Sequence, residues 1–346
     1  MVNRLLTTSR ILQLFFLFFM AKENILIIGA CGQIGVELTL ALRKQYGGDT
    51  VIATDVKPEH SLLQKTGPFH ILDVLDKAAL QAIIIEHNIK QIYLLAAILS
   101  ATGERNPQIA WYMNMQSLLN VLAIAVEEKI NKIFWPSSIA VFGPSTPKQN
   151  TPQETITEPT TIYGISKFAG ERWCTYYHQK FGIDIRSLRY PGLISYLSAP
   201  GGGTTDYAVD IFHQAIEKNT YTCFLQENTT LPMMYMPDAV QATIQLMEAD
   251  AKKIKLRSSY NIAAMSFSPK QLAQAIQQHI PTFTIQYQVD ERQKIAAGWP
   301  QSIDDTIARK HWEWQPQYNI EQMVADMFLH LNQMSKVANE KMTQQF

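Results

Sequence analysis

The sequence predicts an α/β protein, a doubly wound parallel sheet followed by a smaller mixed α/β C-terminal lobe. Three observations carry this expectation. Short, wholly apolar strand patterns alternate with helical ones from Asn24 to about Arg189. A glycine-rich turn, Gly29-Ala30-Cys31-Gly32-Gln33-Ile34-Gly35, joins the first strand to the first helix. After Arg189 the alternation loosens into PGLISYLSAPGGGTTDY, a loop-like stretch rich in glycine.

The run Ile25–Ile28 predicts the opening strand, and Ile34–Tyr46 the first helix. Val51–Thr54, Phe69–Leu72, Ile92–Leu95 and Lys132–Trp135 read as further strands, and Ile183–Leu188 as the sixth. Helical patterns at Leu75–Glu86, Pro107–Glu128 and Ile162–Phe181 lie between them. Strands apolar on both faces need cover on both faces, and right-handed crossovers then wind the sheet doubly. For the C-terminal lobe the pattern predicts helices over Thr205–Glu217, Pro237–Glu248, Ser268–His279 and Ile320–Asn332. Strands are expected near Thr222–Leu225, Met233–Met236, Tyr260–Ala263 and Phe283–Tyr287.

Of the 346 residues, 47% are hydrophobic and 17% charged, which excludes a disordered chain. Lys plus Arg equals Asp plus Glu, at 30 each, so no basic excess points to nucleic acid. Cys31, Cys174 and Cys223 stand far apart, and the eight histidines are scattered, so neither a disulfide framework nor a zinc site is expected. Residues 1–20 differ from the rest. They hold Arg4 and Arg10 and an apolar run from Ile11 to Met20, shorter than the roughly 18–20 residues that span a bilayer. No A-x-A-like cleavage site follows. The first expectation is a mis-assigned start or a dispensable extension outside the fold of a cytoplasmic protein with no membrane partner; a cleaved transit peptide is the second reading and, because the run is short, a membrane anchor the third. Residues 21–190 then form the first domain, 191–334 the second lobe, and 335–346 a polar tail.

A turn of the Gly29/Gly32/Gly35 kind suits a dinucleotide. Glycine allows the tight bend, the close approach of pyrophosphate, and close helix-to-strand packing. The helix start at Gln33 and Ile34 offers N–H groups and a partial positive charge to phosphates. Asp55 ends the second strand, twenty residues after Gly35. A carboxylate there accepts hydrogen bonds from ribose hydroxyls and repels a 2′-phosphate, so NAD is expected over NADP in this Rossmann-type arrangement. Asp73 and Val74 end the third strand, where they either meet the adenine edge or begin a helix as its cap. Ala96 and Ala97 end the fourth, small enough for backbone to lie against a cofactor.

In Tyr163-Gly164-Ile165-Ser166-Lys167, Tyr163 and Lys167 share one helix face. A neighbouring ammonium lowers the pKa of a phenol, which can then take a hydroxyl proton while hydride leaves the same carbon. Ser137 and Ser138 follow the fifth strand at the carboxyl edge where sites form in open sheets. Ser138 is expected to fix the substrate oxygen beside the phenol, and Ser137 to be a turn or cap residue.

These residues resemble the extended, sugar-epimerase-like branch of the short-chain dehydrogenase/reductase superfamily. The resemblance covers about residues 24–334 and rests on GACGQIG, Asp55, Ser138 within SSIAVFG, Asn114, and Tyr163 with Lys167. It implies Tyr163 as acid/base, Lys167 as its partner and Ser138 as the substrate-orienting hydroxyl. It also implies Asn114 as a cofactor-proximal or helix-bending residue, nicotinamide contacts from the backbone of Tyr190 to Leu193, and a homodimer built on the helices at 107–128 and 162–181.

Within that branch, AAILSATGE (96–104), LRYPGLIS (188–195), PGGGTTDYAV (200–209), LPMMYMPDAV (231–240) and WPQSIDD (299–305) resemble the short-chain type L-threonine 3-dehydrogenases. Ser100, Thr204 and Thr205 suit the carboxylate of a small zwitterion, Thr204 or Thr205 doubling as a helix cap. Trp299 either shuts the pocket or packs the lobe. The resemblance implies metal-free oxidation of L-threonine to 2-amino-3-oxobutanoate, with a CoA-dependent ligase consuming the product. A nucleotide-sugar epimerase or dehydratase with bound NAD is the alternative, and an NAD-sensing regulator without turnover a second.

Overall fold

A computed structural model describes residues 23–198, 201 and 203–343. The 1–20 extension lies outside the described residues, as do Pro200 and Gly202 of the glycine-rich loop and the last three residues of the tail.

The first half carries β1 (Asn24–Ile28), α1 (Gln33–Tyr46), β2 (Val51–Asp55), β3 (Phe69–Ile71), α2 (Lys77–Glu86) and β4 (Ile89–Leu94). It continues with α3 (Ser100–Arg105), α4 (Pro107–Glu127), β5 (Lys132–Phe134), β6 (Ser137–Ser138), α5 (Ile162–Phe181) and β7 (Asp184–Arg186). Six strands pair in the order β3-β2-β1-β4-β5-β7, all parallel. This is the doubly wound sheet that the strand and helix alternation predicts. Successive residues of β1 serve opposite faces, as the pleat requires. Ile25 and Ile27 pack with Val36, Leu38 and Leu42 of α1. Leu26 and Ile28 pack with Leu80 of α2, Leu118 and Leu122 of α4, and Cys174 of α5.

The chain goes on through β8 (Leu188–Tyr190), β9 (Gly192–Ile194), α6 (Tyr207–Lys218), β10 (Thr220–Cys223), β11 (Leu231–Tyr235) and α7 (Met236–Glu248). It ends with β12 (Tyr260–Asn261), β13 (Met265–Phe267), α8 (Pro269–Gln277), β14 (Thr284–Tyr287), α9 (Arg292–Gly298), α10 (Thr306–Trp312) and α11 (Ile320–Thr343). Three small sheets, β10-β14, β13-β11-β9 and β12-β8-β6, make up the mixed part.

Four departures from the sequence expectations have physical reasons. Ile183–Leu188 is not one strand. The chain leaves the main sheet at Ser187, because Arg186 is held by the carbonyls of Leu246, Met247 and Ala249 while Arg189 turns to Glu171. β8 then pairs with β6 and β12 instead. The lobes also interleave. Ala239, Ala242 and Leu246 of α7 join the core of β1 and α1, so chain beyond residue 190 covers one face of the main sheet. The short elements α3, β13, α9 and α10 were not expected from the sequence, being too brief to show a period. The last helix continues past Asn332 to Thr343.

One buried ion pair ties these parts together. Glu171 of α5 has no exposed surface. It accepts from Arg189 Nε and Nη2, both at 2.8 Å, and from Ser137 Oγ at 2.7 Å. Arg189 Nη1 also donates to the carbonyl of Gln153 and to Asn261 Oδ1. Removing one partner strands the other charge, so Glu171→Ala should lower the unfolding free energy by about 3–5 kcal/mol in denaturant titration. Replacing both partners by methionine should cost less than either single replacement, and equal additive losses would contradict the pairing.

Candidate active site

The glycine turn is built as the bend requires. Gly29 has φ 90°, and a Cβ there would meet the Ala96 backbone nitrogen at 2.7 Å. Gly29 and Ala30 N–H both donate to the Thr54 carbonyl, and Ala96 N–H to the Ile28 carbonyl, so three strand ends converge at one point. α1 begins at Gly32 with no side-chain cap. A Cβ at Gly32 would touch nothing closer than 3.4 Å. An uncapped helix start whose Gly32 lines a cavity fits a dinucleotide pyrophosphate. Asp55 stands at the end of β2, its carboxylate accepting from Cys31 N–H and Lys57 N–H, both at 2.9 Å. That leaves further lone pairs for ribose hydroxyls.

A cavity of about 220 Å³ runs from this turn along the carboxyl edge of the sheet. Gly29, Gly32, Gln33, Ile34, Gly35 and Ala97 line its cofactor end, with Tyr190 and Leu193 across from them. Ser138, Tyr163 and Lys167 line its middle, and Ser100, Thr204, Thr205 and Trp299 its far part. Residues separated by more than a hundred positions thus share one space. Among the described residues that line it, Lys167 and Asp206 carry charged side chains.

Tyr163 and Lys167 stand on the first turns of α5, whose start is capped by Thr161 Oγ1 accepting from Gly164 N–H. Gly164 allows that helix to press on the turn after Ser138: a Cβ there would lie 2.1 Å from the Ala140 carbonyl oxygen. The contact sets the Ser138 hydroxyl beside the Tyr163 phenol, both lining the same cavity. Lys167 is buried, its Nζ 2.7 Å from the Pro136 carbonyl and 5.5 Å from the centre of the Tyr163 ring. The electrostatics differ from the simple expectation. Burial pushes the phenol up to about 12, and its hydrogen bond with Ser138 is what holds it down. Burial takes the Lys167 ammonium down to about 7. Desolvation therefore outweighs the attraction expected between the two.

Several expectations need correction. Ser137 is neither a turn nor a cap residue; it donates to Glu171, while Ser138 caps the short turn through Ala140 N–H. Asp73 accepts from Leu75 N–H, but the cap of α2 is Asp76, bonded to Ala79 N–H. Neither Asp73 nor Val74 reaches the cavity, and the Val74 carbonyl is taken by Asn120. Ala96 backs the glycine turn without lining the space. Asn114 lies off the cavity. It bonds both the N–H and the carbonyl of Ile98, and Ser166 Oγ, so it ties the segment before α3 to α5. The cap position of α6 is Asp206, not Thr204 or Thr205; Thr204 instead approaches Ser100 Oγ at 3.4 Å. Trp299 serves both of its expected roles, lining the cavity and packing into the lobe core. Asp206 is a pocket residue that sequence reasoning missed, though the acid in TTDY just ahead of a helix was a usable signal.

A nucleotide turn, a parallel sheet and a Ser–Tyr–Lys set at its carboxyl edge define an oxidoreductase of the extended short-chain dehydrogenase/reductase type. Residues 25–263 match the NAD dependent epimerase/dehydratase family, and the chain belongs to that family of enzymes, with NAD as cofactor. It is 50% identical over 307 residues to an uncharacterized epimerase/dehydratase of Staphylococcus saprophyticus, covering 88% of this chain and 96% of that one. Among solved structures it is similar to a partial consensus L-threonine 3-dehydrogenase, at 59% identity and a TM-score of 0.87 over 89% of this chain and 99% of that one. It is also similar to the holo form of a GalE-like L-threonine dehydrogenase from Cupriavidus necator, at 57% identity and the same TM-score and coverage.

Lys167 makes the site costly to fold. Its amine binds a proton in the unfolded chain up to about pH 10.4 but in the folded protein only below about 7. The unfolded state therefore holds more protons between these values, and the penalty fades as pH rises through that window. The stability of Lys167→Met relative to the parent should fall between pH 7 and pH 10. Thermal unfolding without cofactor measures this, and a pH-independent difference would contradict the buried amine.

Proposed function

We propose that the protein oxidises the C3 hydroxyl of L-threonine to 2-amino-3-oxobutanoate with NAD. The carrying observation is the far part of the cavity, where the Ser100 and Thr204 hydroxyls and Trp299 meet without an arginine. Such a space suits the carboxylate of a small zwitterion better than a sugar diphosphate, which calls for cationic partners. The two L-threonine dehydrogenases of similar structure support the same reading.

Bound NAD supplies the hydride acceptor. Ser138 orients the substrate hydroxyl toward Tyr163, which in its phenolate form takes the proton and becomes the phenol as the C3–O bond becomes a carbonyl. Lys167 stands close enough to offset charge on the phenolate, and the hydrogen bond from Ser138 favours the same form. Ser100, Thr204 and Thr205 hold the carboxylate, and Trp299 keeps water from the far part. Asp55 favours NAD over NADP by its carboxylate. No metal is needed in this scheme, since the phenol handles the proton. Three free thiols, Cys31, Cys174 and Cys223, accord with a cytoplasmic setting. The keto acid product is then used by a CoA-dependent ligase.

A homodimer accompanies this reading. Trp111 and Tyr112 on α4 and Trp173, Tyr176 and Phe181 on α5 are all exposed, giving two adjacent helices an aromatic outer face. A second copy that covers this face yields a four-helix interface. Light scattering should give twice the chain mass, and Trp173→Glu with Tyr112→Glu should give monomers. A monomeric parent protein would refute the interface.

Purified protein should form NADH steadily with L-threonine and remain active after chelation. Tyr163→Phe should lower kcat by about 10²–10⁴-fold and leave NADH binding unchanged. Interconversion of UDP-sugars without NADH release, and no turnover of threonine, would assign the epimerase reading that the family also contains. NADH binding with neither activity would assign the sensor.

A further inference from the structure

Glu37 has no part in the chemistry above, yet it touches both sides of the cofactor cleft. It stands one turn after Gln33 on α1, and Gln33 and Ile34 line the cavity. Its carboxylate accepts a hydrogen bond from the Ser195 hydroxyl. Ser195 is fully buried and follows directly on β9, whose Gly192 and Leu193 line the cavity as well. The Ser195 oxygen also accepts from Leu197 N–H at 3.0 Å, which fixes the turn leaving the strand.

We propose that Glu37 is a positioning residue for the cofactor. Its bond to Ser195 ties the helix that receives the pyrophosphate to the strand end that receives the nicotinamide half, and so sets the width between them. The tie is unlike a surface contact. α1 belongs to the main sheet's layer and β9 to a separate three-stranded sheet, and no backbone pairing joins the two. A cofactor that bridges them gains affinity from a cleft already held at its working width.

The surroundings of Glu37 make the tie responsive to pH. Tyr196, next to Ser195, stacks on His330 of α11 with ring centres 4.1 Å apart. His330 Nε2 lies 3.7 Å from Asp326 Oδ1, and Asp326 Oδ2 accepts from the Tyr235 phenol of β11 at 2.7 Å. The Tyr318 ring packs on Tyr235. Burial raises the Tyr196 and Tyr235 phenols and the charges of Glu37 and Asp326 add to it, while burial and Asp326 raise Tyr318, so the groups named around the tie are acids, a histidine and phenols. Burial raises its carboxyl to about 7, and the Ser195 bond holds it down. Ionised Glu37 accepts a charge-assisted hydrogen bond, which is stronger than the neutral one. Loss of that charge below pH 7 loosens the tie, so cofactor affinity should fall as pH falls through about 7.

The test is NADH binding by fluorescence between pH 6 and 8.5, without any alcohol substrate. It rests on cofactor binding alone, so it stands whether or not threonine is the substrate. The parent protein should bind about five-fold more tightly at pH 8 than at pH 6, the gap between charged and neutral hydrogen-bond acceptors. Glu37→Gln should bind at the parent's low-pH level throughout, with a flat profile. Ser195→Ala, on the other side of the tie, should be equally flat and weak, which keeps the test alive if the first variant folds poorly. His330→Gln should keep the dependence. A Glu37→Gln profile matching the parent's, or loss of the dependence in His330→Gln alone, would overturn the proposal.

Discussion

Glu171 has no contact with solvent, so its charge must be met from inside the protein. It is met by Arg189 with two hydrogen bonds and by Ser137 with a third, and this requirement organises the centre of the molecule. It draws the chain out of the main sheet after Arg186, which creates β8. It pulls β6 beside β8, so that Ser138 follows in a set place. It fixes α5 one turn beyond Lys167, the helix that carries both Tyr163 and Lys167. A buried pair of this kind contributes little net stability over a well-packed apolar equivalent. Its value is geometric, because planar guanidinium and carboxylate groups meet in few orientations.

The same burial that orders the site sets its acid–base state. Tyr163 and Lys167 each lose more from desolvation than they gain from each other, so the phenol is raised and the ammonium lowered. A protein optimised for stability alone would place no lysine there. The cost is borne at the place where a proton has to move. Asn114 provides a second support. By bonding both polar groups of Ile98 and the hydroxyl of Ser166, it couples the segment leading to Ser100 with the helix of Tyr163. A shift of the substrate end thus has a direct path to the catalytic helix.

Motifs confined to a few consecutive residues were legible in the chain. The glycine turn, Asp55, the Tyr163/Lys167 pair and Ser138 needed only local geometry: a tight bend, a strand end, one helix face. Each lies where its spacing places it. Readings that depended on which end of an element a side chain serves fared less well. Asp73 lost the cap position to Asp76, and Thr204 and Thr205 lost theirs to Asp206, because several polar residues next to a helix start compete and packing chooses among them. Ser137 looked like a turn residue until Glu171, 34 positions away, supplied an acceptor.

By itself the sequence determined the order of strands and helices, the parallel sheet and the nucleotide turn, because apolar periodicity and glycine act over short distances along the chain. Only the tertiary structure decided that α7 returns to cover the first sheet, that Ser100 meets Thr204 across 104 positions, and that Glu37 reaches Ser195 across 158. Those pairings are set by which buried polar groups can satisfy one another once the layers are packed. That condition acts between distant segments and leaves no local pattern in the chain.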